Sequence, residues 1–401
     1  MCFIDRIVKA TDDFNKLIKF IESEKPHLSA KRGVLGKKDS FKLNQILYNK
    51  KDVSKPNYNQ DQYPIIDIIF SLALAGGLYI KANNEKEKAV PLKTSANNDF
   101  KNLNMYEKYV FLLQTYWTKY DFDAKFSRFL NGIPIYNIFA VLANSYKSQR
   151  IVKDNHLNTC MLYSEESSFF YHLNFFGFGD YELNDADKAF HKDSIKDFLP
   201  NEFGIYASRF LISNALSVWN TKFLNYLNSV LKKKNKPQKD TNPFEIFKKF
   251  FPNEEVKKTV ILKNEFDRSG VYTFKVSLSN SLWRKINLSH NHYLSDLHIA
   301  IQKAFDFDDD HLYAFYIGGN RRTGKPIYCA EVEEEGKTAD EIKIADLELF
   351  KGQKILYLFD FGDEWWFDIK LLKIDKESPL PLKPVIVGSE GKPPEQYPVW
   401  E

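Results

Sequence analysis

Cysteine is scarce in this chain. Three stand in 401 residues, Cys2, Cys160 and Cys329, far apart and without a CxxC pair. That excludes a disulfide framework and a cysteine-built zinc site, and it makes a reducing cytoplasm the expected compartment. Long apolar runs are also missing. The best candidate, residues 65–80, is interrupted by Asp67 and by Gly76-Gly77, short of the ~20 residues a membrane-spanning helix needs. Asp5 and Arg6 come early, with no apolar stretch and small-residue cleavage site after them, so a secretory leader is not expected. No GxSxG or HExxH occurs, and Gly318, Gly319 and Gly324 form neither GxxxxGK[ST] nor GxGxxG. A nucleophile elbow, a zinc-protease helix and a phosphate loop therefore have no sequence support.

What is present is apolar and aromatic. Hydrophobic residues make up 43% and aromatics 15%, with 34 Phe and 22 Tyr, enough to build cores in a chain whose length suggests two to four domains. Net charge is only +4, yet it is unevenly spread. Residues 1–150 carry 24 Lys and Arg against 15 Asp and Glu, whereas residues 251–401 carry 20 against 26. A basic front and an acidic back suggest two functions on one chain, or two surfaces that meet.

Periodicity divides the chain further. Phe3, Ile7, Phe14, Leu17, Ile18 and Ile21 fall on one helical face, and Pro26 ends that helix. After a basic turn, Asp39 or Ser40 could cap a short helix with Phe41, Leu43, Ile46 and Leu47. Pro64 opens an apolar helix that Gly76-Gly77 closes. Leu78 to Ile80, a charged tip over 82–88, and Val90 to Leu92 then read as a two-stranded ribbon. Helices followed by a charged ribbon outline a winged helix-turn-helix. The order recurs later: an aromatic helix over 167–176, a break at Gly177-Phe178-Gly179, an apolar run at 195–199 and a helix after Pro200. We read this as a second copy of the same unit. Aromatic stripes over 105–146 and 208–231 invite a base-stacking interpretation, but their helical spacing is already explained by packing into a core. Lys232 to Asp240 has no apolar residue and reads as an exposed linker.

Beyond residue 257 the period changes from helix to strand. Val260 to Leu262, Tyr272 to Leu278, Leu282 to Leu288, Leu312 to Ile317, Ile355 to Phe361 and Trp366 to Ile374 are the expected strands, with a helix over 294–305 and a hairpin turn at Gly362-Asp363-Glu364. The fold class expected is α+β: a mainly helical N-terminal region with winged-helix-like units, then a C-terminal sheet with one helix on one face, in a β-grasp-like arrangement. The division expected is 1–104 for the first winged-helix-like domain and 105–231 for the helical region with the second unit. Residues 232–256 follow as basic linker and short helix, and 257–401 as the α+β domain.

The C-terminal stretch also resembles a known family. The carrying residues are Trp283-Arg284, Leu297-His298, His311, Tyr357, Asp360-Phe361-Gly362-Asp363, Trp365 and Pro393-Pro394-Glu395. Over roughly residues 260–398 the chain resembles the plasmid pRiA4b ORF-3-like family. The resemblance implies an association with plasmids and mobile elements and a fold, but no established activity. It departs from the family pattern at Phe367, where the family tends to place a His, and after Pro-Pro-Glu, where Gln396, Tyr397 and Pro398 stand.

Two clusters are chemical candidates. Lys31, Arg32, Lys37, Lys38 and Lys42 bracket the short second helix, and Lys86 and Lys88 lie at the ribbon tip. Such residues contact phosphates, and Asn44 and Gln45 are the side chains there with base-reading chemistry. Asp306, Asp308, Asp310, His311, Asp360 and Asp363 could hold a divalent metal if their loops converge, although their spacing is not that of an EF-hand. The leading expectation is a non-catalytic nucleic-acid-binding or regulatory protein, its acidic back an interaction module, with no cofactor and no membrane. The alternatives are a protein-binding scaffold without nucleic acid, and a metal-dependent hydrolase or nuclease built on the acidic cluster.

Overall fold

The computed structural model describes residues 3–29, 32–83, 88–122, 133–146, 151–152, 167–183, 195–220, 242–262, 268–317, 326–332 and 337–397. The chain forms two compact units. The first comprises residues 1–25, 36–80 and 93–263, and the second 26–35, 81–92 and 264–401. The class is α+β, with helices in the N-terminal half and a seven-stranded antiparallel sheet in the C-terminal region.

The first unit begins with α1 (Phe3–Glu24), α2 (Lys37–Ile46) and α3 (Pro64–Ala75). Then come the ribbon β1 (Tyr79–Asn83) and β2 (Ala89–Lys93), whose outer part belongs to the second unit, and α4 (Ser95–Lys101). Next are α5 (Met105–Lys119), α6 (Ile133–Asn144) and β3 (Ile151–Val152). After them come α7 (Ser167–Phe175), β4 (Gly179–Leu183), β5 (Ile195–Pro200), α8 (Glu202–Asn214) and the short α9 (Pro243–Phe247). α2 starts at Lys37 behind Gly36, which gives no side-chain cap. The cap expected at Asp39 or Ser40 lies inside the helix instead. Residues 221–231 of the expected long helix, and the Lys232–Asp240 linker, fall outside the described residues.

The aromatic stripe of α5 is core. Tyr109, Tyr116 and Trp117 are fully buried. Trp117 stacks on Trp219 at 4.7 Å and donates its indole N–H to the Ala215 carbonyl at 2.7 Å. The Tyr109 hydroxyl donates to the Phe176 carbonyl at 2.7 Å. Tyr109 and Trp117 thus satisfy their one polar atom while burying their bodies, which is the condition for placing Tyr and Trp in an interior.

The two copies of the helix–glycine–ribbon–helix unit share backbone detail. Gly77 (φ +68°) follows α3 and Gly177 (φ +78°) follows α7, a left-handed conformation that costs glycine nothing. The amides of Leu78 and Phe178 reach back to Ala73 and Leu173, and those of Gly77 and Gly177 to Leu74 and Asn174. Thr94 and Asn201 close the units in parallel ways. Their amides donate to Leu78 and Phe178, and their side chains to the carbonyls of Gly77 and Gly177. In the second copy β3, β5 and β4 form a three-stranded sheet in that order.

In the second unit the sheet order is β12-β7-β6-β11-β10-β8-β9, antiparallel throughout. The strands are β6 (Val271–Ser277), β7 (Trp283–Ser289), β8 (Tyr313–Ile317), β9 (Pro326–Tyr328), β10 (Lys354–Phe359), β11 (Trp365–Asp375) and β12 (Val385–Glu390). The helix α10 (Leu294–Phe305) packs its Leu297, Ile301 and Ala304 stripe into the core. There it meets Phe274 and Val276 of β6, Ile286 and Leu288 of β7, Tyr357 and Phe359 of β10, and Phe367 and Ile369 of β11. These strand residues alternate, as one buried sheet face requires. Val260 to Leu262 does not form the expected strand. Ile261 is exposed there, and no neighbouring strand takes up its backbone. Also within this unit, the Leu28 amide donates to the Ala89 carbonyl at 2.7 Å and the Asn83 carboxamide to the Lys351 carbonyl at 3.0 Å.

Candidate functional site

A buried polar assembly in the second unit is built around His298. The residue lies on the inward face of α10 and is 3% exposed. Its ring stacks on Tyr313 of β8 at 3.7 Å and 10°. Nδ1 lies 2.6 Å from the Tyr357 hydroxyl and Nε2 lies 2.7 Å from Asp309 Oδ1. Gln302, one helical turn on, donates its amide N–H to the same hydroxyl at 2.6 Å. A carboxylate only accepts, so Nε2 carries the proton and Nδ1 is the acceptor. The bonds then run one way: Gln302 N–H to Tyr357, Tyr357 O–H to His298, His298 N–H to Asp309. Burial holds the His298 pKa below the usual imidazole value, against the opposing pull of Asp309.

Chemically this resembles an oriented base with a carboxylate behind it. Its hydroxyl, however, cannot meet a substrate. Tyr357 is fully buried, and burial pushes its phenol well above the ordinary range. Solvent reaches the network only from Asp309, whose side chain is 54% exposed. The arrangement therefore ties α10 to β10 and to the 306–311 loop, and holds a neutral imidazole in the core.

The other motif residues also serve the framework. Arg284 belongs to the inward series of β7, with Ile286 and Leu288, and is 5% exposed. Its Nε donates to the Ala304 carbonyl at 2.8 Å and Nη1 to the carbonyls of Trp283 and Glu390, both at 2.9 Å. Nη2 donates to the Gly391 carbonyl at 3.2 Å. The cation thus satisfies the C-terminal end of α10, where the helix dipole is negative, and lies over the Phe305 ring. Trp283 itself is flanked by the ammonium groups of Lys275 and Lys285. Asp360 sits at φ +57° and its Oδ1 accepts the amides of Gly362 (2.8 Å) and Asp363 (3.2 Å), closing the β10–β11 turn. Trp365 packs edge-on against Phe307 at 4.9 Å.

The acidic loops do approach each other. His311 Nε2 is 3.4 Å from Asp360 and 3.9 Å from Asp310. Asp306 ends α10 in a left-handed conformation, and the Asp308 amide donates to Gln396. Asp363 enters only through its backbone. Among the described residues no group of three or more His, Cys, Asp or Glu side chains is arranged to hold a metal ion. The tail after Pro-Pro-Glu clamps the loop. Gln396 bonds the backbone of Asp308 in both directions, and the Tyr397 hydroxyl meets both oxygens of Asp310 at 2.7 and 2.8 Å. That hydroxyl is the first cause of the lowered Asp310 pKa. The Phe367 side chain is fully buried between Phe305 and Tyr357.

The residues with nucleic-acid chemistry divide between the units. Lys31 and Lys86 lie outside the described residues. Arg32 and Lys88 belong to the second unit. In the first, Lys37 and Lys38 are exposed at the start of α2, and Gln45 is exposed near its end. Lys42 pairs with Glu24 at 2.8 Å. Asn44 is 2% exposed, and its carboxamide exchanges bonds of 2.8 and 2.9 Å with the Lys51 backbone, so it holds a loop.

Sequence reading did not single out Asp309, Gln302 and Tyr313 as partners of His298. Gln302 had a signal, standing four residues after His298 on the same helical face. The choice of Asp309 among four neighbouring aspartates had none.

A buried-histidine α+β domain on a single antiparallel sheet is thus what fold and site define. Residues 270–398 match the family model described as plasmid pRiA4b ORF-3-like protein. Among solved structures, the chain is similar to a protein of unknown function from Methanosarcina mazei Go1. Identity is 32%, over 30% of this chain and 70% of that one, with a TM-score of 0.26. No curated protein matches the chain. Among the described residues no helix is long and apolar enough to cross a membrane.

Proposed function

We propose that the protein is a non-catalytic nucleic-acid-binding protein whose first unit contacts the polymer and whose C-terminal domain is an interaction or regulatory module. The observation that carries this reading is the twice-built helix–glycine–ribbon–helix unit, with the same cap and closing bonds at Gly77 and Gly177. A helix beside a short ribbon is the outline through which winged helix-turn-helix proteins meet a duplex. The exposed Lys37 and Lys38 give the first copy two phosphate contacts. With Asn44 committed to the Lys51 backbone, recognition rests on the polymer backbone more than on base edges. The C-terminal domain supports the non-catalytic part, because Arg284, His298, Tyr357 and Asp360 are all buried in framework bonds.

The test is fluorescence anisotropy of a short labelled duplex, and of a single-stranded RNA of equal length, titrated at several salt concentrations. Binding should weaken with salt. The Lys37→Glu, Lys38→Glu variant should lower the log–log salt slope by about 2. No binding at low salt, or an unchanged salt slope in this variant, refutes the reading.

A further inference from the structure

A cavity of about 360 Å³ lies within the first unit, where the start of α3 faces Tyr171 of α7 and Tyr181 of β4. Its aromatic walls come as two edge-to-face pairs, one from each repeat. Tyr58 and Tyr63 are 6.1 Å apart at 86°, and Tyr171 and Tyr181 are 4.8 Å apart at 64°. Tyr58 and Tyr181 keep part of their surface exposed.

The polar end is the start of the 12-residue α3. Tyr63 occupies the cap position and offers its amides no side-chain acceptor, and Pro64 follows at the first helical position. The amides of Ile65 and Ile66, both on the cavity lining, head a helix whose dipole is positive at that end. Tyr63 is 1% exposed, and its buried hydroxyl has no hydrogen-bond partner among the described residues. Lys50 and Lys51 stand on the lining against a single carboxylate, Asp52, so the lining is net positive.

We propose that this cavity binds a planar aromatic ligand carrying an anionic group, of the size of a nucleoside monophosphate. The ring stacks against the tyrosine pairs, as bases do on aromatic platforms. The anion meets the start of α3 and Lys50, the arrangement by which helix N-termini hold phosphate. Tyr63 Oη donates the remaining hydrogen bond. The volume is that of small-molecule sites, and the lining sets the four tyrosines beside Asn44, Asn49, Lys50, Lys51 and Asp52. The proposal stands apart from polymer binding and does not use Lys37 or Lys38.

Isothermal titration of the full chain with AMP, adenosine and inorganic phosphate tests it. AMP should bind saturably, with adenosine and phosphate each weaker by about tenfold or more. Tyr63→Phe and, separately, the exposed-site Lys50→Glu should each weaken AMP several-fold while leaving the thermal midpoint of the free protein unchanged. Absence of AMP binding overturns the proposal. So does adenosine or phosphate binding as tightly as AMP, or AMP affinity unchanged in both variants.

Discussion

Replacing Arg284 with methionine tests whether the family's Trp-Arg pair is structural. Methionine fills much of the same volume but leaves four carbonyls without their donor. The Ala304 carbonyl bond is fully buried, and an orphaned acceptor there costs about 1–3 kcal/mol. The bonds to Trp283, Glu390 and Gly391 are partly buried. Water can replace them, at about 0.5–1 kcal/mol each. Losing the guanidinium over Phe305 adds about 0.5 kcal/mol. Against this, methionine removes the cost of burying a charge. The expected net loss is about 3 kcal/mol, or about 6–12 °C in the midpoint of a unit this size. Lysine restores the charge but not the planar fork that serves four acceptors at once, so Arg284→Lys should recover less than half. Calorimetry of the full chain, with urea unfolding followed by tryptophan fluorescence, measures both. A loss under about 1 kcal/mol for Arg284→Met, or full recovery with lysine, would show that the four bonds do not carry the helix–sheet junction.

Two further outcomes follow from the geometry. His298 is held below its ordinary value of 6.5, so the unfolded chain takes up a proton that the folded one resists. Its contribution to stability is complete above that pH and is lost as pH falls toward the lower folded value. Urea midpoints at neutral pH and at about pH 5 should show a decline that His298→Gln reduces, and an unchanged decline in that variant contradicts the network. At Gly204, an added Cβ would overlap the Phe178 carbonyl that closes the second repeat. Gly204→Ala should therefore destabilise by about 1–3 kcal/mol, whereas Gly36→Ala, whose Cβ would meet Asp39 at ordinary contact distance, should move the urea midpoint less.

Much of the fold was legible because it is written in local periods. The stripes of α1, α3 and α10 and the alternation of β6, β7, β10 and β11 each follow from burying one face of a regular element. The turn at Gly362-Asp363-Glu364 was equally plain, although the strand before it ends at Phe359 and not at Phe361 as expected. The metal reading drew on the same loops, but proximity was not enough. Among the described residues no three of these side chains come together as ligands, and Asp360 spends one oxygen on the amides of Gly362 and Asp363. Asn44 shows the same limit. A carboxamide on a short helix has base-reading chemistry in any sequence, and only the position of Lys51 reveals that both its polar atoms are taken.

The amino-acid sequence by itself determined the α+β class, the doubling of the helix–glycine–ribbon unit, and the resemblance of the C-terminal region to a known family. The first two rest on spacing along the chain and on residue types that local conformation demands, such as glycine at φ > 0, and the third on the motif residues themselves. Only the tertiary structure decided that Arg284 faces inward to cap α10, that His298 chooses Asp309 and Tyr357, and that two tyrosine pairs from separate repeats enclose one cavity. Those choices depend on which residues distant in sequence arrive within about 3 Å of a donor or acceptor, and no period along the chain encodes that.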